Sequence, residues 1–129
     1  MTGEFLTPLV TRHIGPQRKR LEGDLVYRQG SGRRIVVPTG FVADGASVPR
    51  GFWWLYPSFG EAYEPATWLH DYAYQHAERL DVSRREADAL LYEAAIGLGF
   101  RRSGARALWL GVRVGGWWPW RQARRRETA

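Results

Sequence analysis

The sequence predicts an α+β fold, with an N-terminal β-hairpin or small antiparallel sheet and its loops packed on a C-terminal bundle of about three helices. Three observations predict it. Residues 1–60 carry short β-rich runs broken by Gly and Pro. Residues 61–116 carry apolar side chains at three- and four-residue steps. Within that half, Ser83-Arg84-Arg85-Glu86 has the form of a capping box, a helix start signal. With 129 residues the chain is one domain by size, in which residues 117–129 form an aromatic and basic tail.

Residues 24–29 (DLVYRQ) and 33–37 (RRIVV) flank Gly30-Ser31-Gly32, which predicts a hairpin closed by a short Gly-bearing turn. Pro38-Thr39-Gly40 ends the second run. Phe41 and Val42 lead into Asp44-Gly45-Ala46-Ser47-Val48-Pro49, whose Gly and Pro make it a loop. The dense run Phe52, Trp53, Trp54, Leu55 and Tyr56 reads as core packing, because aromatics carry large burial energies.

Pro65 suits the first turn of a helix reaching about His76, with Ala66, Leu69, Ala73 and Ala77 on one face. The helix begun at Ser83 carries Ala87, Leu90, Leu91, Ala94 and Leu98 as a stripe, and Gly97 and Gly99 stop it. About six residues separate these two helices, short enough to make them antiparallel neighbours. A third helix is expected over residues 104–114, with Leu108, Trp109 and Val112 inward and Gly115-Gly116 as its end.

Composition narrows the chemistry. There is no cysteine, so disulfides, thiolate metal sites and thiol nucleophiles are excluded. No apolar stretch approaches the roughly 18 residues needed to cross a bilayer. The N-terminus, MTGEFLTPLV, lacks the form of a signal peptide. The absence of disulfides fits assembly in a reducing compartment. The net charge is +6 and Lys19 is the one lysine. Arg clusters in residues 12–20, 101–106 and 121–126 allow contact with acidic protein, nucleic acid or anionic lipid, or form a solvated face.

One set of polar residues stands out. His70 and Tyr74 are four apart and share a helix face. Asp88 lies at the edge of the next helix's apolar stripe and comes level with them if the helices pack antiparallel. A carboxylate on one imidazole nitrogen fixes the tautomer and leaves the other nitrogen free to act as a base. Asp71 points to a different subsite, about 100° round the helix. With Asp44 from the loop it would offer hard oxygen ligands to calcium or magnesium. Ser47 is a candidate nucleophile, loop cap or supporting donor. The alternative is a buried His–Asp–Tyr network that only ties two helices together. His13 and His76 lack such company and are expected to be exposed.

The order P-T-G-F-V-A-D-G-A-S-V-P-R, W-L-H-D-Y-A-Y, S-R-R-E-A-D-A-L-L-Y-E-A and V-R-V-G-G-W-W resembles a family of unknown function common in tailed bacteriophages and prophages. The resemblance implies phage origin, often among tail, baseplate or lysis genes, and with it an expected location in the bacterial host cytoplasm during assembly or in the virion tail. Locally, His70-Asp71, Tyr74 and Asp88 are similar to the catalytic helices of secreted calcium-dependent phospholipases. That likeness implies His70 as the water-activating base, Asp71 as a calcium ligand, and Asp88 with Tyr74 orienting the His. The Gly- and Cys-rich calcium loop and the disulfides of those enzymes are missing.

Two functions from different classes follow as expectations. The first is a tail- or baseplate-associated structural or assembly protein, with other phage proteins as partners. The second is a metal-assisted hydrolase of an envelope ester or amide, with His70 as general base. A nucleic-acid role for the Arg-rich tail lacks any recognition motif. In that tail, Gly115-Gly116 would free the chain, and Trp117, Trp118 and Trp120 would pack on the domain or on a partner. Residues 121–126 would then extend as a contact arm, or form a disordered end.

Overall fold

The computed structural model describes residues 3–15, 18–44 and 64–128, with Ala43, Asp44, Trp118, Glu127 and Thr128 described by backbone alone. The aromatic run of residues 52–56 and the loop bearing Ser47 lie outside the described residues. The fold is α+β, with small antiparallel sheets in the N-terminal half and helices in the C-terminal half.

The strands are β1 (Glu4–Phe5), β2 (Thr11–Gly15), β3 (Arg18–Leu21), β4 (Leu25–Arg28), β5 (Arg34–Val37) and β6 (Val42–Asp44). The expected hairpin is β4–β5, in the register Leu25↔Val37 and Tyr27↔Ile35. Its period-two pattern buries Leu25, Tyr27, Ile35 and Val37 and leaves Val36 and both end arginines in water. β1 adds to the outer side of β4, which gives the order β1-β4-β5.

A second sheet, β2-β3-β6, forms from the segment that reads in sequence as a cluster of positive charge. Its register sets Arg12 opposite Arg20 and His13 opposite Lys19. Like charges placed so destabilise a strand pair. Acids from neighbouring segments offset this: Glu22 lies 3.4 Å from Arg12 and 3.5 Å from Arg20, and Glu64 lies 3.1 Å from Lys19.

The described helices are α1 (Glu64–Gln75), α2 (Ala77–Leu80), α3 (Arg84–Gly97), α4 (Arg102–Gly115) and α5 (Trp117–Thr128). α1 is central. It buries Trp68, His70, Tyr72 and Tyr74 as well as the expected Ala66, Leu69 and Ala73, because sheet residues and α3 pack against different sides of it. The single turn of α2 fills the connection to α3 and stops at Asp81, whose N–H reaches the carbonyls of Ala77 and Glu78 and whose left-handed φ of 55° turns the chain so that the Val82 N–H reaches the Ala77 carbonyl at 3.0 Å. His76 is not the exposed residue its isolation in sequence suggests. It is half-buried, with its ring 4.8 Å from that of Tyr72.

The capping box is formed. The Ser83 Oγ accepts from the Glu86 N–H at 3.1 Å, and the Glu86 carboxylate accepts from the Ser83 N–H at 3.2 Å. Ser83→Ala is therefore expected to cost about 1 kcal/mol, read as a lower urea midpoint at unchanged slope. Gly99 ends the α3 segment with φ +95°, a conformation that strains any L side chain. Tyr27 couples sheet to helix, since its hydroxyl donates to the Glu93 carboxylate at 2.6 Å.

Candidate functional site

The site lies where α1, α3 and α4 meet. Asp88, fully buried on α3, is its hub. The His70 Nε2 is 2.9 Å from Asp88 Oδ1, and the Tyr74 hydroxyl donates to the same oxygen at 2.5 Å. His70, Tyr74 and Asp88 thus form the single hydrogen-bonded unit that helical spacing predicts. His70 is 7 % exposed, so water reaches little of the ring.

The other carboxylate oxygen, Oδ2, accepts from Arg113 Nη1 at 2.8 Å. Arg84 stands behind it, with its buried Nε 3.9 Å from Oδ2, too far for a hydrogen bond. The Arg84 Nη2 instead donates to the carbonyls of Val112 (2.9 Å) and Arg113 (2.6 Å) in the last turn of α4. Arg84 caps α4 because the one basic residue in that helix's last turn, Arg113, is turned to Asp88.

Charge follows from these contacts. Burial alone would raise the Asp88 carboxyl. The bonds from His70 and Tyr74, the His70 charge and the Arg113 bond outweigh it and hold the carboxyl below its ordinary range. Burial, with the Asp88 bond and charge, pushes the Tyr74 phenol up, while Arg84 opposes in part. Tyr74 therefore remains a donor at any physiological pH.

Space is also arranged. A Cβ on Gly116 would meet the Val112 carbonyl oxygen at 2.4 Å and the Tyr74 hydroxyl at 2.5 Å. Glycine here lets the α4–α5 junction close over the hydroxyl. Trp120 packs edge-on to Tyr74 with ring centroids 5.2 Å apart. Arg124 lies over the Trp120 ring and donates to the Tyr74 carbonyl.

Asp71 is one residue along α1 and half-buried, outside the Asp88 network. Burial raises its carboxyl to about 6, partly countered by the His70 charge. The folded state then binds a proton more tightly than the unfolded chain. Stability is expected to fall as pH rises from about 4 to about 6 and then to level off. Asp71→Asn should remove that descent and leave the variant more stable than wild type at pH 7. Urea midpoints measured across this window in chelator check it, and parallel curves for the two proteins would refute it.

The remaining sequence candidates are only partly placed. Asp44 ends β6, paired in register with Arg18, and its side chain is not described. Ser47 lies outside the described residues. Among the described residues no group of three or more His, Asp or Glu side chains is gathered as for a metal ion. Sequence reasoning missed Arg113, Arg84, Gly116, Trp120 and Arg124. Arg113 had a legible signal, as the lone charge in the apolar run LWLGVRVGGWW.

Fold and site define an α+β domain whose helices are joined by a buried Asp holding a His, a Tyr and an Arg. The chain belongs to the family described as a protein of unknown function, DUF1353, whose sequence profile matches residues 19–112. The matched region takes in His70, Asp71, Tyr74 and Asp88, and stops one residue short of Arg113. No curated protein and no solved structure matched the chain.

Proposed function

We propose that the chain serves a tailed bacteriophage, as part of its tail or baseplate or of their assembly, and that His70 is a general base for hydrolysis of an envelope ester or amide. One observation carries the chemical part: His70 Nε2 is tied to a fully buried carboxylate. A neutral ring that donates from Nε2 keeps its lone pair on Nδ1. Nδ1 makes no hydrogen bond among the described residues. In the proposed step Nδ1 takes a proton from water as the water oxygen attacks the substrate carbonyl, and Asp88 steadies the resulting imidazolium; the tetrahedral oxyanion then collapses, the ester C–O or amide C–N bond breaks, and the imidazolium returns its proton to the leaving alcohol or amine. The adjacent Asp71, with Asp44 from the end of β6, would hold calcium or magnesium. Such an ion, when bound, supplies positive charge beside the developing oxyanion.

A second reading is favoured by the saturation of Asp88. A carboxylate that accepts from His70, Tyr74 and Arg113 can serve only to lock three helices together in a non-catalytic virion component. Hydrolysis assays on phospholipid vesicles and on peptidoglycan fragments, with calcium, magnesium or chelator, separate the two. On the catalytic reading His70→Gln lowers cleavage by about 10²–10⁴-fold while the protein stays folded. Wild-type cleavage no greater than that of His70→Gln, on every substrate, would leave the lock alone standing.

A further inference from the structure

Residues 101–126 contain eight arginines and neither Asp nor Glu. Two of the eight are turned inward, Arg113 to Asp88 and Arg124 to the Tyr74 carbonyl. Arg101, Arg102, Arg106, Arg121, Arg125 and Arg126 are exposed. Between them runs an apolar stripe. Arg106, Leu110 and Val114 recur at four-residue steps on the outer face of α4. Trp117 follows on the next turn, and Arg121 lies a turn beyond with its guanidinium 5.9 Å from the Trp117 ring. Leu110 is 50 % exposed, Val114 69 % and Trp117 48 %.

α4 is thus apolar on two sides. Ala105 and Leu108 face the core, while Leu110 and Val114 face water. Core packing does not explain the second set. We propose that the α4–α5 face docks on an anionic phospholipid surface, with Leu110, Val114 and Trp117 entering the headgroup boundary and the flanking arginines pairing with lipid phosphates. The chemistry fits on both counts. Arginine stems lie along apolar surface while their heads reach phosphate, and Trp favours the bilayer interface. A helix with exposed apolar residues among arginines lies in the plane of such an interface. No helix among the described residues is long and apolar enough to cross the membrane, so the contact is peripheral. A nucleic acid would use the same arginines but has no use for aliphatic Leu110 and Val114 at the centre of the stripe. The inference stands apart from the hydrolytic reading, because the surface is complete without His70.

Flotation of the full chain with vesicles tests it. Binding is expected to vesicles containing phosphatidylglycerol and not to pure phosphatidylcholine. Each neutralised arginine should lower the partition coefficient by about fivefold, so Arg106→Gln with Arg121→Gln lowers it by roughly 25-fold. Leu110→Ser with Val114→Ser should lower it by on the order of tenfold with every charge retained. Both pairs are exposed, so circular dichroism should be unchanged; if one pair unfolds the chain, the other still decides. Failure to float with anionic vesicles overturns the inference. So does binding that the Leu110/Val114 pair leaves intact, or a lipid-independent dimer that the same pair dissociates.

Discussion

Asp88→Ala is expected to destabilise the fold by about 3–5 kcal/mol, the usual effect of removing one member of a buried ionic contact. The variant strands three groups at once. Arg113 loses its 2.8 Å partner, and His70 and Tyr74 lose the oxygen they share. The charge is the costly remnant, since an uncompensated guanidinium beside the core keeps its desolvation penalty. Asp88→Leu combined with Arg113→Met should therefore recover part of the loss, because an apolar pair of similar volume removes the guanidinium that Asp88→Ala would strand. The pH dependence has a defined sign. The Asp88 carboxyl is held below the ordinary value of 3.8, so its contribution is complete above that range and is lost as pH falls through the lower folded value. Wild type should lose this margin only below the ordinary carboxylate range, and Asp88→Ala should lack it at every pH. Equal unfolding midpoints at pH 7 for wild type and Asp88→Ala would contradict the whole account of the hub.

How much of this was legible depends on the range of the interactions. The β4–β5 hairpin, the Ser83 capping box and the α3 stripe are written in near neighbours, where period and turn chemistry decide the outcome. The His70–Tyr74–Asp88 unit was legible because both helices are regular and the connection between them is short. Its fourth member was not. Arg113 reaches Asp88 from 25 positions away in the chain, across a helix packing that periodicity alone does not orient. The β2-β3-β6 sheet was hidden for a different reason. Its strands present Arg12, His13, Arg20 and Lys19 instead of apolar alternation, and Glu22 and Glu64 supply the compensation from outside the strands. Asp44 and Ser47 were assigned to the site by sequence, and the Asp44 side chain and the loop bearing Ser47 lie outside the described residues.

The C-terminus is where local signals and tertiary packing diverge most, and it carries the second large effect. Gly115-Gly116 predicts release of the chain, yet residues 117–128 form α5, and Gly116 keeps right-handed dihedrals (φ −78°, ψ −9°) rather than a left-handed stop. Ala123 is buried, and Arg124 turns back to the end of α1. That helix has no basic residue in its own last turn, so its terminal carbonyls lack a local cation. Arg124 supplies one from the other end of the domain, bonding the Tyr74 carbonyl while its guanidinium lies 4.4 Å above the Trp120 ring. Truncation after Trp120 keeps the indole but removes this clasp. The expected loss is on the order of 3 kcal/mol, from a charge-assisted bond to a helix end and a cation–π contact. Truncation after Arg124 keeps both contacts and should leave the urea midpoint within the range of an ordinary surface change. The pair of truncations isolates Arg124 from Arg125 and Arg126, and Arg124→Met in the full chain should reproduce most of the larger loss. If the chain ending at Trp120 unfolds at the wild-type midpoint, residues 121–126 are a passive arm and the clasp contributes nothing to the fold.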